Sequence, residues 1–100
     1  MNSHIYSLEE IKEKLCPIFT EHGVKKAVLF GSYSKGCAAE ESDVDIYVES
    51  ELHGFKFLEL IEDIKEALDK DVDVYDIRHI DEGTYIESEI KKDGVLLYEK

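Results

Sequence analysis

The chain is 100 residues long, 43% of them hydrophobic, and its 24 acidic against 12 basic side chains give a formal charge of -12. One small domain over residues 1–100 is expected from that length, with a modest core and any ligand site an open groove or one completed by another chain. The charge argues against free DNA, RNA or anionic membranes as general partners, and no apolar run approaches the length that crosses a bilayer.

Ser7-Leu8-Glu9-Glu10 has the form of a capping box, so a helix is expected to begin at Leu8. Leu8, Ile11, Leu15, Ile18 and Phe19 recur at helical spacing and Gly23 supplies the stop after His22, with Pro17 as a point of kinking or shortening. Lys26 to Phe30 (KAVLF) is a short β-favouring run cut off by Gly31, and Ser34 to Ser42 is expected as a loop or short helix. Asp43 to Val48 (DVDIYV) alternates polar with apolar and predicts a second strand. Phe55 to Leu68 places Phe57, Leu60, Ile61, Ile64 and Leu68 on one face of an amphipathic helix. Val72 to Ile77 (VDVYDI) predicts a third strand, reached from the second by a helical crossover. A last helix is expected over Asp81 to Lys92 with Tyr85, Ile86 and Ile90 inward, then a turn at Asp93-Gly94 and a short strand from Val95 to Tyr98. The expected architecture is an α/β (α+β) sandwich, one small mixed sheet packed with helices in the order α-β-β-α-β-α-β.

Within DVDIYV the alternation of a strand puts Asp43 and Asp45 on one face, and uncompensated they repel until one takes up a proton. A bound Mg2+ removes that penalty. Asp73 repeats the parity on a strand able to lie beside the second, so three carboxylates become available to two divalent ions about 3.5–4 Å apart, an arrangement suited to in-line phosphoryl displacement. Gly31-Ser32 then has a purpose: a residue without a β-carbon lets the backbone approach a phosphate, and the following amide and hydroxyl can donate to it. Lys35 can add a point charge for the same triphosphate.

Other motifs fail on the same residues. Gly31 to Gly36 has the glycine spacing of a P-loop, but Cys37-Ala38 stands where Lys and Ser or Thr are required. An EF-hand opened at Asp43 would have Val48 in place of its glycine and Gly54 in place of its glutamate. His4, His22, His53 and His79 show no zinc spacing, and Cys16 and Cys37 fit no paired framework, which points to a reduced, cytoplasmic setting. The amino terminus, MNSHIYSLEE, has neither a basic leader nor an apolar core of a signal, so secretion is not expected.

Gly31-Ser32, ten residues, then Asp43-Val44-Asp45 resembles the GSx10DxD motif of the nucleotidyltransferases related to DNA polymerase beta, and nearly the whole chain is similar to the minimal nucleotidyltransferase (MNT) subgroup. The resemblance implies Mg2+-dependent transfer of a nucleoside monophosphate from a nucleoside triphosphate such as ATP to a hydroxyl, with release of pyrophosphate. By the same resemblance Asp43 and Asp45 ligate the metals, Asp73 ligates one and helps deprotonate the acceptor, and Gly31, Ser32 and Lys35 bind the triphosphate. Asp71 shares the strand parity of Asp73 and is the alternative third acid. Minimal proteins of this kind resemble antitoxins that silence a HEPN ribonuclease by adenylylating one of its tyrosines, so a HEPN-type toxin is the implied partner, in a hetero-oligomer. Two other readings use the same residues: an acidic module that neutralises a basic partner by occlusion, and nucleotidylation of a small molecule.

Overall fold

A computed structural model describes residues 5–36, 43–76 and 90–100. The capping box forms as expected: the Glu10 amide donates to Ser7 Oγ at 3.1 Å and the Ser7 amide donates to Glu10 Oε1 at 3.0 Å, starting α1 (Leu8–His22). Gly23, at φ 71, closes it in a Schellman arrangement, its own amide donating to Thr20 O at 3.2 Å and that of Val24 to Phe19 O at 3.0 Å. The helix runs through Pro17 without being shortened. Its inward stripe is narrower than the sequence spacing suggests, with Ile11, Leu15 and Phe19 buried and Leu8 exposed at the first turn.

β1 (Lys26–Phe30) leads through Gly31 into a one-turn helix, α2 (Ser32–Lys35). β2 (Val44–Glu49) starts one residue later than the alternation predicts, which leaves Asp43 exposed just ahead of the strand. α3 (Phe55–Leu68) crosses over to β3 (Val72–Asp76), whose predicted last residue, Ile77, lies outside the described residues. Most of the predicted helix over 81–92, Tyr85 and Ile86 included, is likewise outside them; residues 90–93 are helical and lead to β4 (Val95–Glu99).

The four strands form one mixed sheet in the order β3-β2-β1-β4. β1 is antiparallel to both β2 and β4, whereas β2 and β3, joined by the α3 crossover, are parallel. Both long helices lie on one face. There Ala27, Leu29, Val44, Ile46, Val48, Val72 and Leu97 of the sheet meet Ile11, Leu15 and Phe19 of α1 and Leu60, Ile64 and Leu68 of α3 in a continuous core. The helices are tied to each other by His22 and Asp63, 2.7 Å apart, and the Tyr6 hydroxyl donates to Leu68 O at the end of α3.

Parity also carries an acid into this core. Asp76 shares the face of Val72 and Val74 and is fully buried at the end of β3, where the Ser50 hydroxyl donates to it at 3.1 Å. The opposite face of the sheet carries Val28 and Phe30 of β1, Asp45 and Tyr47 of β2, and Asp73 and Tyr75 of β3. No helix among the described residues is long and apolar enough to cross a membrane.

Two substitutions on opposite faces of α3 separate core from surface. Ile64→Ala, at a fully buried position, is expected to cost about 2–5 kcal/mol in urea unfolding. Leu58→Ala, on the exposed face of the same helix, should stay within about 0.5 kcal/mol of wild type.

Candidate active site

The site is assembled where three strand ends meet. Antiparallel pairing sets Phe30, the last residue of β1, opposite Asp45, and parallel pairing sets Asp45 opposite Asp73. Neighbouring strands lie about 4.7–4.9 Å apart, so the two carboxylates, in register on one face, are neighbours by register alone. Asp43, one residue ahead of β2, adds a third negative charge close enough to act on Asp45.

Gly31 sits at the turn between β1 and α2 with φ +77, a backbone conformation that costs glycine little. A β-carbon built there would run into the Asp45 carboxylate. The sequence reasoning assigned the bare glycine to phosphate approach; the structure adds that the carboxylate itself fills the space a side chain would need. Glycine and acid are thus coupled sterically across the sheet.

Asp45 has its pKa raised from 3.8 to about 6. Burial is the largest cause, followed by the charges of Asp73 and Asp43 and by a hydrogen bond with Asp73. Part of the burial has a visible origin in the rings of Phe30 and Tyr75, from the strands on either side of β2, whose centroids are 5.5 Å apart. Tyr75 feels the same field: burial and then the charges of Asp73, Asp45 and Asp43 push its hydroxyl above the ordinary value of 10.0. Tyr75 was missed by the sequence reasoning, although its parity with Asp73 in VDVYD was the available signal.

Asp71 lies just before β3, exposed, with its carbonyl accepting the Val44 amide at 3.2 Å. It is absent from the charges acting on Asp45, which Asp73 leads. Ser32 and Lys35 are the first and last residues of α2, and their side chains lie outside the described part of the structure. Carboxylates are the hard oxygen donors that magnesium takes, and a divalent cation would replace the proton as charge compensation for Asp45. Among the described residues no three His, Cys, Asp or Glu side chains stand grouped so as to hold a metal ion.

Residues 13–100 match the family described as Polymerase beta, Nucleotidyltransferase. A protein of Methanocaldococcus jannaschii that bears the name "Putative protein adenylyltransferase MJ0435" is 44% identical over 71 residues, 68% of this chain and 75% of its own length. Among solved structures, a crystal structure of a toxin-antitoxin with AMP-PNP superposes with a TM-score of 0.75 at 29% identity, covering 89% of this chain and 73% of that one. A complex of tri-AMPylated Shewanella oneidensis HEPN toxin with MNT antitoxin gives a TM-score of 0.70 at 26% identity, over 93% of this chain and 73% of that one.

The electrostatics predict that Asp45 is held in place at a cost to stability. Its folded-state pKa lies above the ordinary value, so its contribution to stability is full below about pH 4 and is lost as pH rises through about 6. In chelator at about pH 7.5, Asp45→Asn is therefore expected to melt above wild type by about 4 °C or more, and the gap should vanish near pH 4. Thermal unfolding across that range checks both the sign and the window.

Proposed function

The chain belongs to the polymerase beta nucleotidyltransferase family, and from that premise we propose that it is a Mg2+-dependent protein adenylyltransferase, moving AMP from ATP to a tyrosine hydroxyl of a HEPN-type toxin and so acting as its antitoxin. The observation that carries this reading is the register that sets Asp45 opposite Asp73, within reach of the charge of Asp43, beside a glycine whose missing side chain leaves room for Asp45. It is supported by the adenylyltransferase name of a relative and by the toxin-antitoxin complexes, one with AMP-PNP and one AMPylated, that share the fold.

In this proposal Asp43, Asp45 and Asp73 hold magnesium, as two ions, which would supply positive charge against the triphosphate and keep Asp45 ionised. Gly31, Ser32 and Lys35 bind the triphosphate and orient its α-phosphorus toward the open edge of the carboxylate face. Asp73 lies exposed next to Asp45 and accepts the proton of the incoming hydroxyl. The acceptor oxygen then forms a bond to the α-phosphorus as the bond to the bridging oxygen breaks, and that electron pair leaves with pyrophosphate. A phenol suits a modest base, because it gives up its proton far more readily than an alkyl hydroxyl. The formal charge of -12 favours a basic partner surface, as a ribonuclease presents to RNA, and two cysteines that fit no paired framework, together with the use of ATP, support a cytoplasmic setting for the proposed reaction.

Incubating the chain with Mg2+, ATP and the purified HEPN partner, then weighing the partner, tests the proposal. The expected result is a mass gain of one or more AMP units that needs the metal. Asp43→Asn combined with Asp45→Asn should slow it at least about a hundredfold while circular dichroism and partner binding are kept. An unchanged partner mass under conditions where the two proteins bind would refute transfer. Full silencing by the double variant at stoichiometric amounts would mark an occluding binder instead.

A further inference from the structure

α3 has two faces with different work. Leu60, Ile64 and Leu68 point into the core, while Phe55, Leu58, Glu59, Glu62, Glu66 and Asp69 are exposed at spacings of three and four residues, one continuous outward stripe along the helix axis. Its first turn is apolar: Phe55 is 83% exposed and Leu58, one turn on, 54%. A scattered surface leucine needs no explanation, but an aromatic and a leucine adjacent on one helix face, followed by four carboxylates, form a patterned surface.

The stripe also leads somewhere. From Phe55 to Asp69 it runs about 20 Å. At that far end Lys65, Glu66, Asp69, Lys70 and Asp71 line an open groove of about 380 Å3. The Asp71 carbonyl accepts the Val44 amide, so the groove lies at the sheet end where β2 and β3 start, the end at which Asp45 and Asp73 stand on the opposite face. The parallel crossover is responsible, since α3 has to return the chain to the same sheet end from which β2 set out.

We infer that the outward stripe of α3 is the docking surface for the acceptor protein, taking Phe55 and Leu58 into an apolar pocket and pairing Glu62, Glu66 and Asp69 with lysines or arginines, so that a partner extending past the end of the helix reaches the carboxylates on the opposite sheet face. This rests on the transfer reading above. Charge complementarity selects the occupant: four acids in line repel an acidic segment and a second copy of this chain, which carries the same stripe and the same charge of -12. The apolar pair supplies most of the affinity, as buried aromatic anchors do at protein interfaces, and the acids set direction and rate of association.

Calorimetry with the purified HEPN partner of the preceding section tests the inference separately from transfer. Phe55→Ala with Leu58→Ala, and independently Glu62→Lys with Glu66→Lys, should each raise Kd at least about tenfold. Glu13→Lys with Glu21→Lys, the same charge change on exposed positions of α1, should leave it within about twofold. Where transfer is followed, the α3 variants should raise KM for the partner and leave kcat and the KM for ATP unchanged. Binding by the α3 variants within about twofold of wild type overturns the inference, as does equal weakening by the α1 pair or no binding by wild type. Wild type that binds without transferring AMP sinks the transfer reading alone, because the variants still judge the docking surface.

Discussion

Asp45 is pressed from three sides. The turn at Gly31 meets its carboxylate where a side chain would otherwise stand, Asp73 faces it in register, and the rings of Phe30 and Tyr75 lean over the strand between them. Water cannot pay fully for its charge there, and its neighbours have the wrong sign, which is why the carboxyl holds its proton up to about pH 6. A fold selected for stability alone would put a neutral group at this position. The strain is local, electrostatic, and of the kind that the proposed divalent cation would relieve.

The remainder of the molecule holds that arrangement rigid. β2 stands between an antiparallel and a parallel neighbour, so its register is set twice, and its inward residues Val44, Ile46 and Val48 are all fully buried. Slipping β2 by one residue would turn the valines and isoleucine out and Asp45 into the core, a change far costlier than the repulsion it would relieve. The capping box and Schellman motif of α1, the His22–Asp63 contact and the Tyr6 hydroxyl on Leu68 O keep the helical layer in one position over the sheet. The hydrophobic layer thereby supplies the free energy that the carboxylate layer costs.

Much of this was legible in the chain. The apolar run KAVLF, the period-two runs DVDIYV and VDVYDI and the helical period of 55–68 placed β1, β2, β3 and α3, and the spacing from Gly31-Ser32 to Asp43 and Asp45 marked the candidate site. What escaped was pairwise and three-dimensional. Alternation says that Asp73 shares a face with Tyr75, but only the register sets it opposite Asp45, and only the turn geometry reveals that Gly31 and Asp45 compete for the same space. Asp76, not singled out in the sequence, has the parity of the valines and is buried against Ser50. Leu8 fits the helical spacing of α1 and is nevertheless exposed, because the core ends one turn below it.

On the transfer reading, the same topology suits an acceptor carried by a partner. The described four-stranded sheet with both long helices on one face encloses no second substrate, so an acceptor on a partner protein is held from outside. A parallel β2-α3-β3 unit is suited to that, because its crossover helix spans the sheet from the far end of β2 back to the start of β3. A protein gripped along the outer face of such a helix is aligned with the sheet and is held at the sheet end where the carboxylates of the opposite face begin. Orientation of the incoming hydroxyl can then come from a surface remote from the chemistry, and the energy of docking, spent there, need not be taken from the already strained carboxylates.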